Sequence, residues 1–153
     1  MQIRKFKDSD TKELARMHNE TIRTINVKDY PKKQIEVWAG PKLAIRKYSK
    51  DRIRFVALYK NKIVGFGEFK HNDLTAIYVH KDYVGKGVGK ELLKKLEYAA
   101  YKKGVRKLKC ISTITAKGFY EKHWYKFIKT TKLKIKDQKL IVYEMEKILR
   151  HYH

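Results

Sequence analysis

Between Leu74 and Leu93 an apolar run stops, three glycines alternate with Lys86 and Val88, and a helical pattern starts at once. The segment therefore commits the chain to a strand, a tight turn and a helix start in immediate succession. Glycine lets the main chain approach a ligand closely, and a helix start carries unpaired N–H donors and a partial positive charge. Lys86 and Lys90 add formal charge. The segment reads as an anion-binding turn.

Spacing narrows the kind of anion. A nucleotide triphosphatase loop needs G-x-x-x-x-G-K followed by Ser or Thr, whose hydroxyl holds magnesium. Here Val84 stands at the first glycine and Glu91 follows Lys90. A dinucleotide turn needs G-x-G-x-x-G, but the third glycine arrives one place early, leaving Lys90 in its position. The frame [Q/R]-x-x-G-x-[G/A], which holds the pyrophosphate of coenzyme A, is met at Gly87 and Gly89 and missed only at Val84.

At 153 residues the chain has the length of one domain, 1–153, able to bury a core. No apolar run approaches the roughly 20 residues that span a bilayer, and the charged start, Met1 to Lys7, is followed by no apolar signal region. The lone cysteine, Cys110, sits in an apolar run and reads as a buried strand thiol, neither a disulfide partner nor part of a metal site. These features predict a cytoplasmic protein that uses no membrane and no metal. The net charge of +22 attracts polyanions, yet the lysines are spread along the whole chain and no arginine-rich or recognised nucleic-acid motif gathers them. Non-specific nucleic-acid binding is left open on charge alone, and so is a homodimer.

Periodicity supplies the remaining elements. Ile3 to Phe6 is a strand, Asp10 and Glu13 have capping-box spacing, and Leu14, Met17, His18, Thr21, Ile22 and Ile25 share one helical face. A second short helix runs from Tyr30-Pro31 to Trp38 and stops at Gly40-Pro41, with an irregular continuation from Lys42 to Lys50. Arg54 to Tyr59 and Ile63 to Phe69 form a hairpin, and Asp73 to Val79 leads into the glycine turn. Gly89, Leu92, Leu93, Leu96, Ala99 and Ala100 mark the buried face of the next helix, which Gly104 ends. Leu108 to Ile111 is a strand, and Ala116 to Trp124 has helical spacing. Phe127 to Ile135 and Lys139 to Met145 close the chain as strands, the first with one wet lysine face. This is an α/β order with a mixed, mostly antiparallel sheet of about seven strands flanked by about four helices.

Element order and motifs together resemble the GNAT (GCN5-related) N-acetyltransferases. Val79 to Leu93 is similar to their central acetyl-CoA motif, YVHPxYxGKGIGxxLL, with Lys81 in place of the common proline. Thr115 to Tyr125 is similar to their second motif, xAxxFYEKxGF, with Trp124 in place of the glycine. The resemblance implies the GNAT acyl-CoA N-acyltransferase fold and direct acetyl transfer from acetyl-CoA to an amine of unknown identity. It also implies that two parallel strands splay around the cofactor. Ile77, Tyr78 and Val79 would then lend backbone groups to the pantetheine arm. Val84, Gly85, Lys86, Gly87, Val88, Gly89 and Lys90 would wrap the pyrophosphate, with Lys86 making up for the side-chain donor that Val84 lacks.

The same resemblance makes Tyr120 the general acid. A phenol with pKa near 10 stays protonated at neutral pH and can protonate a thiolate whose thiol has a pKa of roughly 8.5. For the base that deprotonates the amine, Asp73 stands where several family members carry a glutamate, and Glu68 on the preceding strand is the next candidate. His71 and His80 have suitable pKa values but no supporting motif, and His18 reads as a packed or rim histidine. The rival reading, from another class, is a basic polyanion-binding or nucleic-acid-binding module on a GNAT scaffold with weak or absent catalysis.

Overall fold

A computed structural model describes residues 1–39 and 51–150; Gly40, Pro41 and the expected continuation from Lys42 to Lys50 lie outside the described residues. The elements are β1 (Gln2–Lys5), α1 (Thr11–Thr24), α2 (Lys32–Trp38), β2 (Arg52–Tyr59), β3 (Lys62–Lys70), β4 (Asp73–Val79), α3 (Val88–Lys102), β5 (Lys107–Thr113), α4 (Lys117–Lys122), β6 (Lys126–Ile135) and β7 (Gln138–Ile148). Short 3-10 turns precede and follow α1, and another precedes α3. The strands form a seven-stranded sheet in the order β1-β2-β3-β4-β5-β7-β6. Every pairing is antiparallel except β4 with β5.

Helices cover the sheet on both faces. α3 buries Leu92, Leu93 and Leu96 against Phe69, Leu74, Leu108 and Met145. It lies close because β3 carries glycines beneath it: a Cβ on Gly65 would meet Leu92 and Val88 at 2.7 Å, and one on Gly67 would meet Leu96 at 2.5 Å. On the other face, α1 sets Leu14 and Met17 against Val56, Ile63 and Phe66. Further along that face Ile22, Tyr30, Ile35 and Ala39 close over Leu140 of β7. The β2–β3 hairpin turns at Lys60 and Asn61, both at positive φ (49° and 62°), which matches the right-handed twist of the flanking strands.

Two local expectations come out differently. Asp10 does not cap α1 with its side chain. It accepts from the Lys7 N–H at 2.8 Å and takes two 2.9 Å bonds from Arg4, while Glu13 accepts from the Ile63 N–H at 2.7 Å. Both acids therefore tie α1 to neighbouring strands. Strand β6 is wet on both faces along most of its length, with Leu133 47% exposed, because it is the sheet edge and helices reach it only near its ends, α4 at Phe127 and α2 at Ile135. Trp124 keeps the helix end that a glycine would make. It lies at φ 73°, its N–H reaches Glu121 O at 3.1 Å, and Tyr125 N–H reaches Tyr120 O at 3.0 Å. That is a Schellman-type end, and a non-glycine residue there costs roughly 1 kcal/mol.

Candidate active site

The parallel strands β4 and β5 are paired only at Asp73 with Lys109 and Leu74 with Cys110. Beyond these pairs they part. The parting begins at a bulge: Glu68 pairs with Ala76 and Phe69 with Leu74, so Thr75 is an extra residue on β4. His80 N–H bonds to Val64 O at 2.8 Å. Backbone groups alternate along a strand, so those of Ile77 and Val79 turn away from β3 into the open V. The Val79 carbonyl accepts from Thr21 Oγ1 of α1 at 3.1 Å.

A cavity of about 170 Å³ fills the V. Thr75 to Val79 form one wall; Ile111, Thr113, Thr115, Ala116 and Tyr120 form the other. Thr21, Ile25 and Asn26 close the lip, and Val84 stands at the mouth of the turn. The lip is pinned. Tyr30 Oη donates to Ile141 O at 2.7 Å and accepts from Ile114 N at 2.9 Å, and Thr115 Oγ1 donates to Asp29 Oδ2 at 2.8 Å.

The glycine turn continues from the V. Gly85 and Gly87 lie at φ 79° and 87°, and Gly87 caps the helix in the left-handed region. The first intrahelical bond runs from Glu91 N to Gly87 O at 3.1 Å, so the N–H groups of Val88, Gly89 and Lys90 precede it and point out of the helix end. Gly89 plays another part. A Cβ there would sit 3.1 Å from the Phe119 ring, so the glycine lets α4 close on α3. Lys86 is exposed, with Nζ 5.6 Å from the Tyr83 ring centre.

Of the three catalytic candidates, the cavity takes in Tyr120 alone. Tyr120 is buried between Phe119 and Tyr125, at ring distances of 5.3 Å each. Burial, reinforced by Cys110 and Tyr78 nearby, pushes its phenol well above the ordinary value, so the hydroxyl keeps its proton. Asp73 is exposed at the closed end of the V and lines an adjoining groove with Lys109, Glu144 and Glu146, which shares Thr75 and Ile111 with the cavity. Glu68 is buried one layer behind the cavity wall, bonded to Arg52 at 2.7 Å, Arg54 at 2.6 Å and Thr75 Oγ1 at 2.6 Å. Burial raises its pKa, but the Thr75 and Arg54 hydrogen bonds and the charges of Arg54 and Arg52 outweigh it and leave it below the usual value. Glu68 is a fixed carboxylate.

His18, His71 and His80 sit outside the cavity wall. His71 is exposed at the β3–β4 turn, 3.8 Å from Asp51. His80 is buried and its Nδ1 accepts from the Asp82 N–H at 3.1 Å. His18 is buried edge-on to Tyr78, with ring centres 4.0 Å apart, and burial lowers its pKa to about 4. Burial likewise pushes the Cys110 thiol up to about 12, so it offers little thiolate. Thr21, Asn26, Thr75, Thr113 and Thr115 are the wall residues that sequence reasoning missed. They carry no motif; only the fold brings them together.

A family profile, the acetyltransferase (GNAT) domain, matches residues 26–149. The chain belongs to the GNAT acetyltransferases. No curated protein gives a significant match. Among solved structures, the acetyltransferase superposes on a GCN5-related N-acetyltransferase of Rhodopseudomonas palustris, described as a class-II aminotransferase, at TM-score 0.88 and 26% identity over 97% of this chain and 95% of the other. The PaiA N-acetyltransferase of Thermoplasma acidophilum, solved with coenzyme A, aligns at TM-score 0.75 and 24% identity over 96% and 98% of the two chains. YncA of Salmonella typhimurium, solved with acetyl-CoA, aligns at 0.67 and 15% over 100% and 96%. These two share the fold. Among the described residues of the acetyltransferase, no helix is long and apolar enough to cross a membrane.

Proposed function

We propose that this protein is an acetyl-CoA-dependent N-acetyltransferase that moves an acetyl group directly to an amine. The observation that carries the reading is one continuous surface: open backbone at Ile77 and Val79, the N–H groups of the glycine turn, and Tyr120 in the same cleft. The donor set fits the cosubstrate. A pyrophosphate suits main-chain N–H groups at a helix start, and an amide-bearing arm suits strand groups left unpaired by the splay. Acetyl-CoA, when bound, supplies the activated thioester.

The residues divide the remaining work. Ile77 and Val79 hold the arm, whereas the backbone groups of Tyr78, expected to share that role, pair with Phe66 of β3; Val84 to Lys90 hold the pyrophosphate, with Lys86 and Lys90 as the local cations. Tyr120 holds a proton for the leaving sulfur: as the carbon–sulfur bond breaks, the thiolate takes it and the thiol departs, and the proton shed by the newly acylated nitrogen restores the phenol. The high pKa of the buried phenol keeps that proton in place until then. Cys110 is too weakly ionised to serve as a covalent carrier, which favours direct attack by the amine nitrogen. The amine enters as the free base, with no carboxylate on the described cavity wall to deprotonate it.

Thiol release tests the reading, measured with acetyl-CoA and a panel of benzylamine, L-alanine amide, L-glutamate, an alanine-initiated tripeptide and spermidine. At least one should release thiol in step with its own acetylation. Spermidine should be the poorest, because the +22 chain repels a polycation. No release with any amine, together with submicromolar nucleic-acid binding at about 200 mM salt, is the result expected of a polyanion-binding module instead.

A further inference from the structure

We propose that Thr75 is the hydrogen-bond acceptor that receives the incoming amine, and that Glu68 is the positioning residue that fixes the direction of the Thr75 hydroxyl. The inference rests on the transferase reading above. Thr75 is the extra residue of the β4 bulge, at the apex where β4 leaves β5, and it lines the cavity. Its Oγ1 lies 2.6 Å from Glu68 Oε1 and 3.3 Å from the Glu68 carbonyl oxygen. Glu68 is only 7% exposed, and its two carboxylate oxygens are held by Arg52 and Arg54 at 2.7 and 2.6 Å.

Donor counting decides the polarity. A hydroxyl has one proton, and an ionised carboxylate or a carbonyl can only accept. Thr75 must therefore spend its proton on Glu68, and what Oγ1 has left for another partner is lone pair. Two other wall hydroxyls are committed in the same sense, Thr21 to Val79 O and Thr115 to Asp29. Thr75, Thr21 and Thr115 thus offer acceptors without offering charge, while Tyr120 across the cleft offers a donor. A group entering against Thr75 must bring its own N–H or O–H. An amine does; a thioester oxygen or a carboxylate does not.

The test uses the full chain and the amine of the panel above with the highest kcat/KM. Thr75→Val should raise KM for that amine at least tenfold while acetyl-CoA affinity changes less than twofold. Thr75→Ser, which keeps the hydroxyl, should stay within about threefold of wild type on both. Glu68→Gln turns one of the two acceptor oxygens into an NH2 donor, so Thr75 is no longer obliged to donate, and it should raise the amine KM in the same direction, with no further rise in the double variant with Thr75→Val. If Glu68→Gln does not fold, the two Thr75 variants decide alone. An amine KM for Thr75→Val within twofold of wild type, or Thr75→Ser as impaired as Thr75→Val, overturns the inference and leaves the transferase reading standing. A wild type inactive toward every amine overturns both.

Discussion

The two ends of the β4–β5 cleft are made from different materials. At the turn end the groups facing a ligand are main-chain N–H groups, set by two glycines at positive φ and the start of α3. Along the lip and down to the apex they are side chains: Thr21 and Asn26 from α1 and the turn after it, Thr115 from the β5–α4 connection, and Thr75 from the bulge at the apex. A main-chain site needs particular backbone conformations, and those leave a glycine spacing in the sequence. A side-chain site needs only that common residues converge, and convergence belongs to the fold. The turn end should therefore fail by loss of backbone shape, and the lip end by loss of individual hydrogen bonds.

The largest expected effect is at Gly87. A Cβ there would touch nothing within 4 Å, so a valine adds strain at φ 87° and bulk facing the ligand without disturbing the core. Gly87→Val should abolish the rise in melting temperature that acetyl-CoA produces, measured by scanning calorimetry. Gly89→Leu should instead lower the melting temperature of the free protein, because its side chain would drive into Phe119. Equal loss of ligand response in both variants with unchanged free-protein stability would erase the distinction between shape and packing at this end.

The second effect lies behind the lip, at His18. Its folded pKa of about 4 lies below the ordinary 6.5, because burial disfavours the charged ring. Between those values the unfolded chain binds the proton and the folded chain does not, so stability rises with pH there. It is complete above about 6.5 and lost as pH falls toward 4, by roughly 3 kcal/mol in all. Asp10 and Glu68, held low by arginine partners, lose their contribution only at more acid pH. Urea unfolding from pH 7 to 4 should show this slope, and His18→Met should flatten it. An unchanged slope in the variant removes His18 as its source.

Third is Tyr120. Tyr120→Phe should lower kcat about 100-fold, near 2.7 kcal/mol, with the acetyl-CoA thermal shift intact. The phenol acts on the leaving sulfur, whereas the cofactor's affinity resides at the turn. Full turnover in the phenylalanine variant, with chemistry rate-limiting, would take the general-acid role from Tyr120.

The same contrast governs what the sequence could convey. The strand–turn–helix unit was legible because Gly85, Gly87 and the α3 pattern are local. Tyr120 was legible because it stands inside a motif. Trp124 hid its φ of 73° behind a residue that rarely adopts it. The two-sided exposure of β6 was invisible in its alternation, since a strand's own residues do not say which helices reach it. The Glu68–Thr75 bond depends on a bulge in the β3–β4 register, and the lip is pinned by Tyr30, over a hundred positions from its acceptor at Ile141. Neither contact has a local signature.

The smallest expected effect concerns Asp73. Its position in the chain matched that of a glutamate base, but the carboxylate is exposed at the closed end of the V, in the groove with Lys109 and Glu144. A base must come within hydrogen-bond reach of the nitrogen it serves, directly or through one water; Asp73 faces the adjoining groove, which shares Thr75 and Ile111 with the cavity, and is no part of the wall that carries Tyr120. Asp73→Asn should therefore keep kcat/KM within about threefold of wild type from pH 6 to 9. In both proteins the rate should climb with pH as the acceptor amine loses its proton, since the amine's own ionisation sets the profile. A tenfold or greater loss in the asparagine variant, concentrated at low pH, would mean that Asp73 reaches the amine after all. The closed end of the cleft would then be its catalytic end, and Thr75 would lie on the path of the proton.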